Sequence, residues 1–301
     1  MELRVQLHMH TTESKGTRIQ MESNIPPKTA VDILKRKNIR VAAITDHDNT
    51  RAYPKIKDYA EKNGIILING IEVTTKDGEI IGLNLEPGIE KELKKGIDLL
   101  KARDIILSHG GEILIPHPFD MRRRGIGKRI RDIKGIVEIF NPGNIFGFED
   151  RFAKIAAEKL GLPMIACSDA HWHRMIDRGI TVVDAEPEID SIFKSIRRGE
   201  VRFENCEYLT WEEIKEWSLI RAKDSYAYMK NKLIEGWEID YGYMKIVNLK
   251  FLRFIQECIL EFGVRKPDSK ILDILALTSR FFADLYGWRM KRKYADFIAL
   301  L

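Results

Sequence analysis

"LRVQLHMH", residues 3–10, alternates the apolar Leu3, Val5 and Leu7 with other positions and then ends in His-Met-His. Period-two alternation predicts a strand, and residues i and i+2 of a strand share a face, so His8 and His10 reach one point at its end. Two imidazoles aimed at one point suit a metal ion. They also suit a plain polar strand end, and the rest of the chain has to decide between the two.

Working outward, short apolar runs alternate with amphipathic segments as far as about Val201, the pattern of strand–helix repeats around a parallel sheet or barrel. The spacing predicts strands at Leu3–His8, Val41–Thr45, Ile65–Val73, Ile80–Leu85, Ile113–Pro116, Ile136–Phe140, Met164–Cys167 and Ile180–Val183. Helices are expected at Lys28–Lys37 after Pro26-Pro27, at Tyr53–Lys62 before Asn63-Gly64, and at Glu149–Leu160 before Gly161. Past Asn205 the alternation stops, and Ile271, Ile274, Leu275, Thr278, Phe281, Phe282 and Leu285 recur at helical spacing. The expected organisation is an α/β domain over residues 1–205 and an all-helical extension over 206–301. The extension holds four of the five tryptophans and none of the seven histidines, so chemistry is expected in the first domain.

Composition narrows the class. With 44% apolar and 32% charged residues the chain reads as a soluble globular protein. No basic-then-apolar leader opens it, and charges break every apolar run short of a membrane span, so a cytoplasmic protein without membrane contact is expected. Cys167, Cys206 and Cys258 have no C-x-x-C spacing, which argues against a disulfide framework and a thiolate zinc site. A net charge of +5 favours anionic partners.

The acids and imidazoles fall at strand ends. After the first strand come His8 and His10; after the second, Asp46, His47 and Asp48; on the third, Glu72. The fifth is followed by His117, the sixth carries Glu138 and Asn141, and the seventh leads into Asp169, His171 and His173. In a parallel barrel the C-terminal strand ends share one rim, so these groups would converge. Imidazole with carboxylate suits zinc, manganese or iron, and a carboxylate such as Glu72 can bridge two cations that clamp a phosphoryl oxygen and share an acidified water.

The order H-x-H, T-D-H-D, G-x-E, H-P and S-D-A-H, over residues 1–205, resembles the polymerase and histidinol phosphatase (PHP) family of metal-dependent phosphoesterases. The resemblance implies a distorted seven-stranded, TIM-like β/α barrel with two or three divalent metal ions. It implies that His8, His10, Glu72 and Asp169 hold one metal, that Glu72 bridges to a second which also uses His117, and that His47 and His171 belong to a third position or act as acids there. Where many relatives have a histidine, this chain has Glu79, which either supplies an oxygen ligand or faces solvent. In the segment after H-x-H, Glu13 and Glu22 offer acids without a clear match.

The implied activity is hydrolysis of a phosphate ester by metal-bound hydroxide, with His47, Asp169 and His171 as catalytic residues. The expected substrate is a small nucleotide such as a nucleoside bisphosphate, or an oligonucleotide end, because "FDMRRRGIGKRIRD" places Arg122, Arg123, Arg124, Lys128, Arg129 and Arg131 just after His117. Asn141 and Arg174 are further substrate-binding candidates. Histidinol phosphate is the alternative substrate. A non-catalytic nucleic-acid-binding or scaffold role on the same barrel is the alternative of another class. The helical extension is expected to pack on the barrel or support a homo-oligomer.

Overall fold

The computed structural model describes residues 1–14, 22–120, 123–144 and 147–214, and beyond them residues 216, 217, 220, 288, 291, 292 and 294–301. Nine strands follow in chain order: β1 (Glu2–Gln6), β2 (Val41–Ile44), β3 (Ile66–Thr74), β4 (Glu79–Leu83), β5 (Glu112–Ile115), β6 (Ile136–Phe140), β7 (Met164–Ala166), β8 (Ile180–Asp184) and β9 (Val201–Glu204). Between them lie α1 (Pro27–Arg36), α2 (Tyr53–Lys62), α3 (Leu99–Ser108), α4 (Phe148–Leu160) and α5 (Ile189–Arg197). The three helices expected from sequence are present within a residue of their bounds, and Gly161 ends α4 in the left-handed conformation, φ 63°.

The strands form one sheet in the order β7-β6-β5-β4-β3-β2-β1-β8-β9. It curls until β7 comes back to β1: Met9 bridges Ala170, and the His10 amide donates to the Ala170 carbonyl at 2.9 Å. Side chains close the remaining seam. Gln6 Oε1 accepts from the Ser168 amide, and Thr181 Oγ1 bonds both the amide and the carbonyl of Ala166, each at 2.9 Å. Inside, Leu3, Val5, Val41, Ile68, Ile81, Leu114, Ile136 and Ile165 form one apolar cluster with Ile192, Phe193 and Ile196 of α5.

Two expectations need correction. The barrel-like sheet has nine strands rather than seven; β8 runs antiparallel to β1, and β9, for which no strand was expected, pairs antiparallel with β8. Nor is the sheet parallel, since β4 is antiparallel to both β3 and β5. The cause is local. Only residues 75–78 join β3 to β4, too few for the crossover that a parallel pair requires, and Thr75 closes them as a turn onto Gly78.

The chain divides into two units, one comprising Met1–Ser14, Ser23–Tyr208 and Lys291–Leu301, and the other Lys15–Glu22 and Leu209–Met290, most of which lies outside the described residues. The helical pattern expected at Ile271–Leu285 lies outside the described residues. In the first unit, the helix over 294–300 packs Tyr294 and Phe297 on Phe119, with ring centroids 5.1 and 6.3 Å apart.

Gly179 sits where β8 meets the end of β7, with φ 59°, and a Cβ there would stand 2.4 Å from the Cys167 carbonyl oxygen. Gly161 has a similar φ but open space around it. Gly179→Ala is therefore expected to cost more than about 3 kcal/mol in urea unfolding, and Gly161→Ala only about 1–2 kcal/mol. Equal losses would contradict the tight seam.

Candidate metal centre

One rim of the barrel gathers the ligand candidates. His8 and His10 lie just beyond β1, His47 beyond β2, Glu72 near the end of β3, His117 beyond β5, and Asp169 and His171 beyond β7. Glu79 arrives differently: it is the first residue of β4, and the reversed direction of that strand brings its start, paired with Thr74, to the same rim. All of them are at most 3% exposed in their side chains except His171, at 14%.

Their spacing is that of donors around a common point. Glu72 Oε2 lies 3.4 Å from His8 Nε2, 3.2 Å from His10 Nε2 and 3.3 Å from His47 Nδ1, while Oε1 lies 3.3 Å from His117 Nε2. Asp169 Oδ1 is 3.2 and 3.1 Å from the same two Nε2 atoms. Yet neither Glu72 oxygen nor Asp169 Oδ1 accepts a hydrogen bond. Atoms at about 2.1 Å from one cation lie about 3.0–3.4 Å apart, so these residues fit a divalent metal by chemistry and by spacing. Three groups of donors result: His8, His10, Glu72 and Asp169; His47, Glu72 and Glu79; and His10, His47 and His171. Glu79 is fully buried, which rules out the solvent-facing reading, and its Oε2 is 4.0 Å from His117 Nε2.

Outer carboxylates set the tautomers. His8 Nδ1 donates to Glu138 Oε1 at 3.0 Å, and His10 Nδ1 donates to Ser14 Oγ at 3.3 Å, which in turn donates to Asp46 Oδ1 at 2.8 Å. In the neutral imidazoles both Nε2 atoms are then the ligating nitrogens that face the centre. Glu138 also accepts from the His117 amide at 2.6 Å and from Asn141 Nδ2 at 3.0 Å. His10 is stacked between His47 and His171, at 4.6 and 4.2 Å between centroids. His117 and Asp169 both take positive φ, 27° and 46°, a strain on the order of 1–3 kcal/mol each that a rigid surrounding must hold.

The PHP-associated family model (PHP_C) matches residues 148–201. "Uncharacterized protein MJ1587" of Methanocaldococcus jannaschii is 31% identical over 156 residues, half of this chain and 89% of that protein. Among solved structures, a two-domain protein of Bacteroides vulgatus containing a predicted PHP-like metal-dependent phosphoesterase superposes with a TM-score of 0.55 at 19% identity, over 68% of this chain and 65% of that one. The chain belongs to the PHP family. A third similarity is short: the 5′-3′ exoribonuclease Rnm of Salmonella typhimurium is 34% identical over 86 residues, 27% of each chain.

Within this PHP barrel the remaining candidates separate. Arg122 lies outside the described residues. Arg123 turns inward: its guanidinium bonds Asp120, Asn141, Asn144 and Asp169. Arg124 reaches the Thr75 carbonyl at 3.0 Å, and Asn141 Nδ2 lies 3.2 Å from Asp169 Oδ2. Arg174 is exposed, 4.9 Å above the buried Trp172 ring. Arg131 lies over Phe297, and Arg129 pairs with Asp132 and Asp77. Glu13 pairs at the surface with Lys55, away from the donor groups. Glu138, Asp46 and Asp120 were assigned no role from sequence. Glu138 had a readable signal, being the one acid in the otherwise apolar strand "IVEIF", where an unpaired charge is untenable.

Burial opposes charge throughout the cluster, but partners overcome it. Asp169, Glu138 and Glu72 raise the His8 pKa well above its ordinary 6.5. The imidazoles of His47 and His8 hold Glu72 well below its ordinary 4.5, and His8, His171 and Arg123 hold Asp169 well below 3.8. The stabilisation carried by His8 is complete below its ordinary value and lost as pH rises through its raised one. For the two acids it is present above their ordinary values and lost as pH falls through the depressed ones.

Chelated protein should therefore lose stability in thermal melts as pH rises above the ordinary imidazole value of 6.5 and through the raised His8 value, and manganese should restore it with release of protons into a weak buffer. A flat profile over that range would contradict the protonated cluster. Glu138→Gln should lower manganese affinity about 10–100-fold by calorimetry, with the far-UV spectrum retained.

Proposed function

We propose that the protein is a divalent-metal-dependent phosphoesterase that hydrolyses a phosphate ester of a small nucleotide, such as a nucleoside bisphosphate, or of an oligonucleotide end. The carrying observation is the set of buried nitrogens and carboxylate oxygens spaced 3.1–3.4 Å apart without hydrogen-bond geometry. His8, His10, Glu72 and Asp169 would hold one cation, and Glu72, Glu79, His47 and His117 a second. His10, His47 and His171 form the donor set for a third. Bound manganese, zinc or iron would polarise the phosphoryl oxygens and acidify a water.

The chain's own residues do the rest. Glu72 serves two positions because its oxygens face different imidazoles, His117 on Oε1 and His8, His10 and His47 on Oε2. His171 Nδ1 donates to the Asp169 carbonyl at 2.7 Å, so Nε2 is the nitrogen that would bind a third cation or, where none is bound, hand a proton from the imidazolium to the leaving oxygen. It is also the most exposed histidine of the cluster, as an acid that must reach substrate has to be. The similarity to an exoribonuclease supports a nucleic-acid end as the class of substrate.

Phosphate release from adenosine 3′,5′-bisphosphate and from a 5′-phosphorylated oligonucleotide should be absent in chelated protein and restored by manganese. Asp169→Asn should lower the restored rate at least about 10³-fold. Manganese binding without turnover on either substrate would overturn the proposal.

A further inference from the structure

The Arg-rich loop invites a role in gripping substrate phosphate, but Arg123 is already spent inside the protein. A guanidinium has five N–H donors. Nε donates to Asp120 Oδ2 at 2.6 Å, one terminal nitrogen to Asn141 Oδ1 at 2.9 Å and to Asp169 Oδ2, and the other to Asn144 Oδ1. One donor remains, so a two-pronged grip on a phosphate would require letting go of one of these four buried partners.

The arrangement divides the Asp169 carboxylate. Oδ1 faces His8 Nε2 and His10 Nε2, whereas Oδ2 is taken by Arg123 and approached by Asn141 Nδ2 at 3.2 Å. Oδ2 also lies 3.9 Å from His117 Nε2, so without its guanidinium the carboxylate could swing toward the neighbouring donor group. Arg123 is anchored against that swing: Asp120 is 1% exposed, and Asn144 is itself held by donation to Asp150 Oδ1 at 2.5 Å.

We propose that Arg123 is a positioning residue: by engaging Asp169 Oδ2 it presents Oδ1 alone to the His8–His10–Glu72 cluster and sets the cation affinity of that site. The proposal rests on the metal-centre reading and is independent of which ester is cleaved. Lysine would keep the charge but lose the fork that spans Asp120, Asp169 and Asn144.

The test is manganese titration of the chelated full-length protein by calorimetry, with Arg123→Gln, Arg123→Lys and Asp120→Asn beside the wild type. Both Arg123 variants should bind about 10–100-fold more weakly, with KM at saturating metal within about twofold of wild type. In cobalt-loaded Arg123→Gln, the visible bands should shift as the ligand set changes. Wild-type manganese affinity in the variants, with a raised KM, would overturn the proposal and return Arg123 to the substrate. If Arg123→Gln does not fold, Asp120→Asn decides: it loosens the anchor without touching Asp169, and a loss of at least about threefold is expected while none overturns the proposal. No manganese binding by the wild type would instead refute the metal centre itself.

Discussion

Glu72 is the constraint around which the rim is built. A carboxylate with no exposure is costly unless polar partners meet both oxygens, and four imidazoles from three other stretches of chain lie against them. That requirement fixes where β1, β2 and β5 must end relative to β3. It also explains the value of reversing β4: a parallel strand there would have carried Glu79 to the opposite end of the barrel, whereas the tight turn after Thr75 returns the chain at once and delivers an acid from a strand start.

Charge balance makes the same point on a larger scale. Asp46, Glu72, Glu79, Asp120, Glu138 and Asp169 are all buried around this rim, and the Arg123 guanidinium is bonded among them. Asp169, Glu138 and Glu72 favour a proton on His8, which is why its pKa lies so high. Two or three divalent cations would supply opposite charge of the size of that imbalance, and would do so without the strain of protonating stacked imidazoles. The outer carboxylates then have distinct tasks: Glu138 and Asp46 orient imidazoles, and Asp120 holds the group that orients Asp169.

Much of this was legible in the sequence because strand ends are legible. Period two placed His8 and His10 together, and the chain Leu3–Val5–Leu7 marked the strand that delivers them. The direction of β4 was harder, though the short gap between Val73 and Ile80 already excluded a crossover. β9 was missed because its alternation, "VRFE", is only four residues long and lies partly exposed at the sheet edge. The inward turn of Arg123 was out of reach. A run of basic residues reads as a solvated or substrate-facing surface, and only the fold reveals that Asp120 and Asp169 flank one of them.

The loop bearing His117 and Arg123 also needs support that the barrel alone does not give, because it leaves β5 through a residue at φ 27°. Support comes from the far end of the chain. Phe119, two residues beyond His117, is buried edge-on against Tyr294, with Phe152 of α4 on its other side at 6.1 Å. Arg131, at the end of the same loop, lies over Phe297, and Lys159 Nζ donates to the Ile298 carbonyl at 3.0 Å. Gly127 is left without a side chain where Tyr294 presses closest, since a Cβ would stand 2.7 Å from its hydroxyl. The last helical turns of the chain thus complete the wall behind two groups of the metal centre. The first compact unit needs residues 291–301 for that reason, and the strained His117 backbone is held by aromatic packing that the strand order alone could not provide.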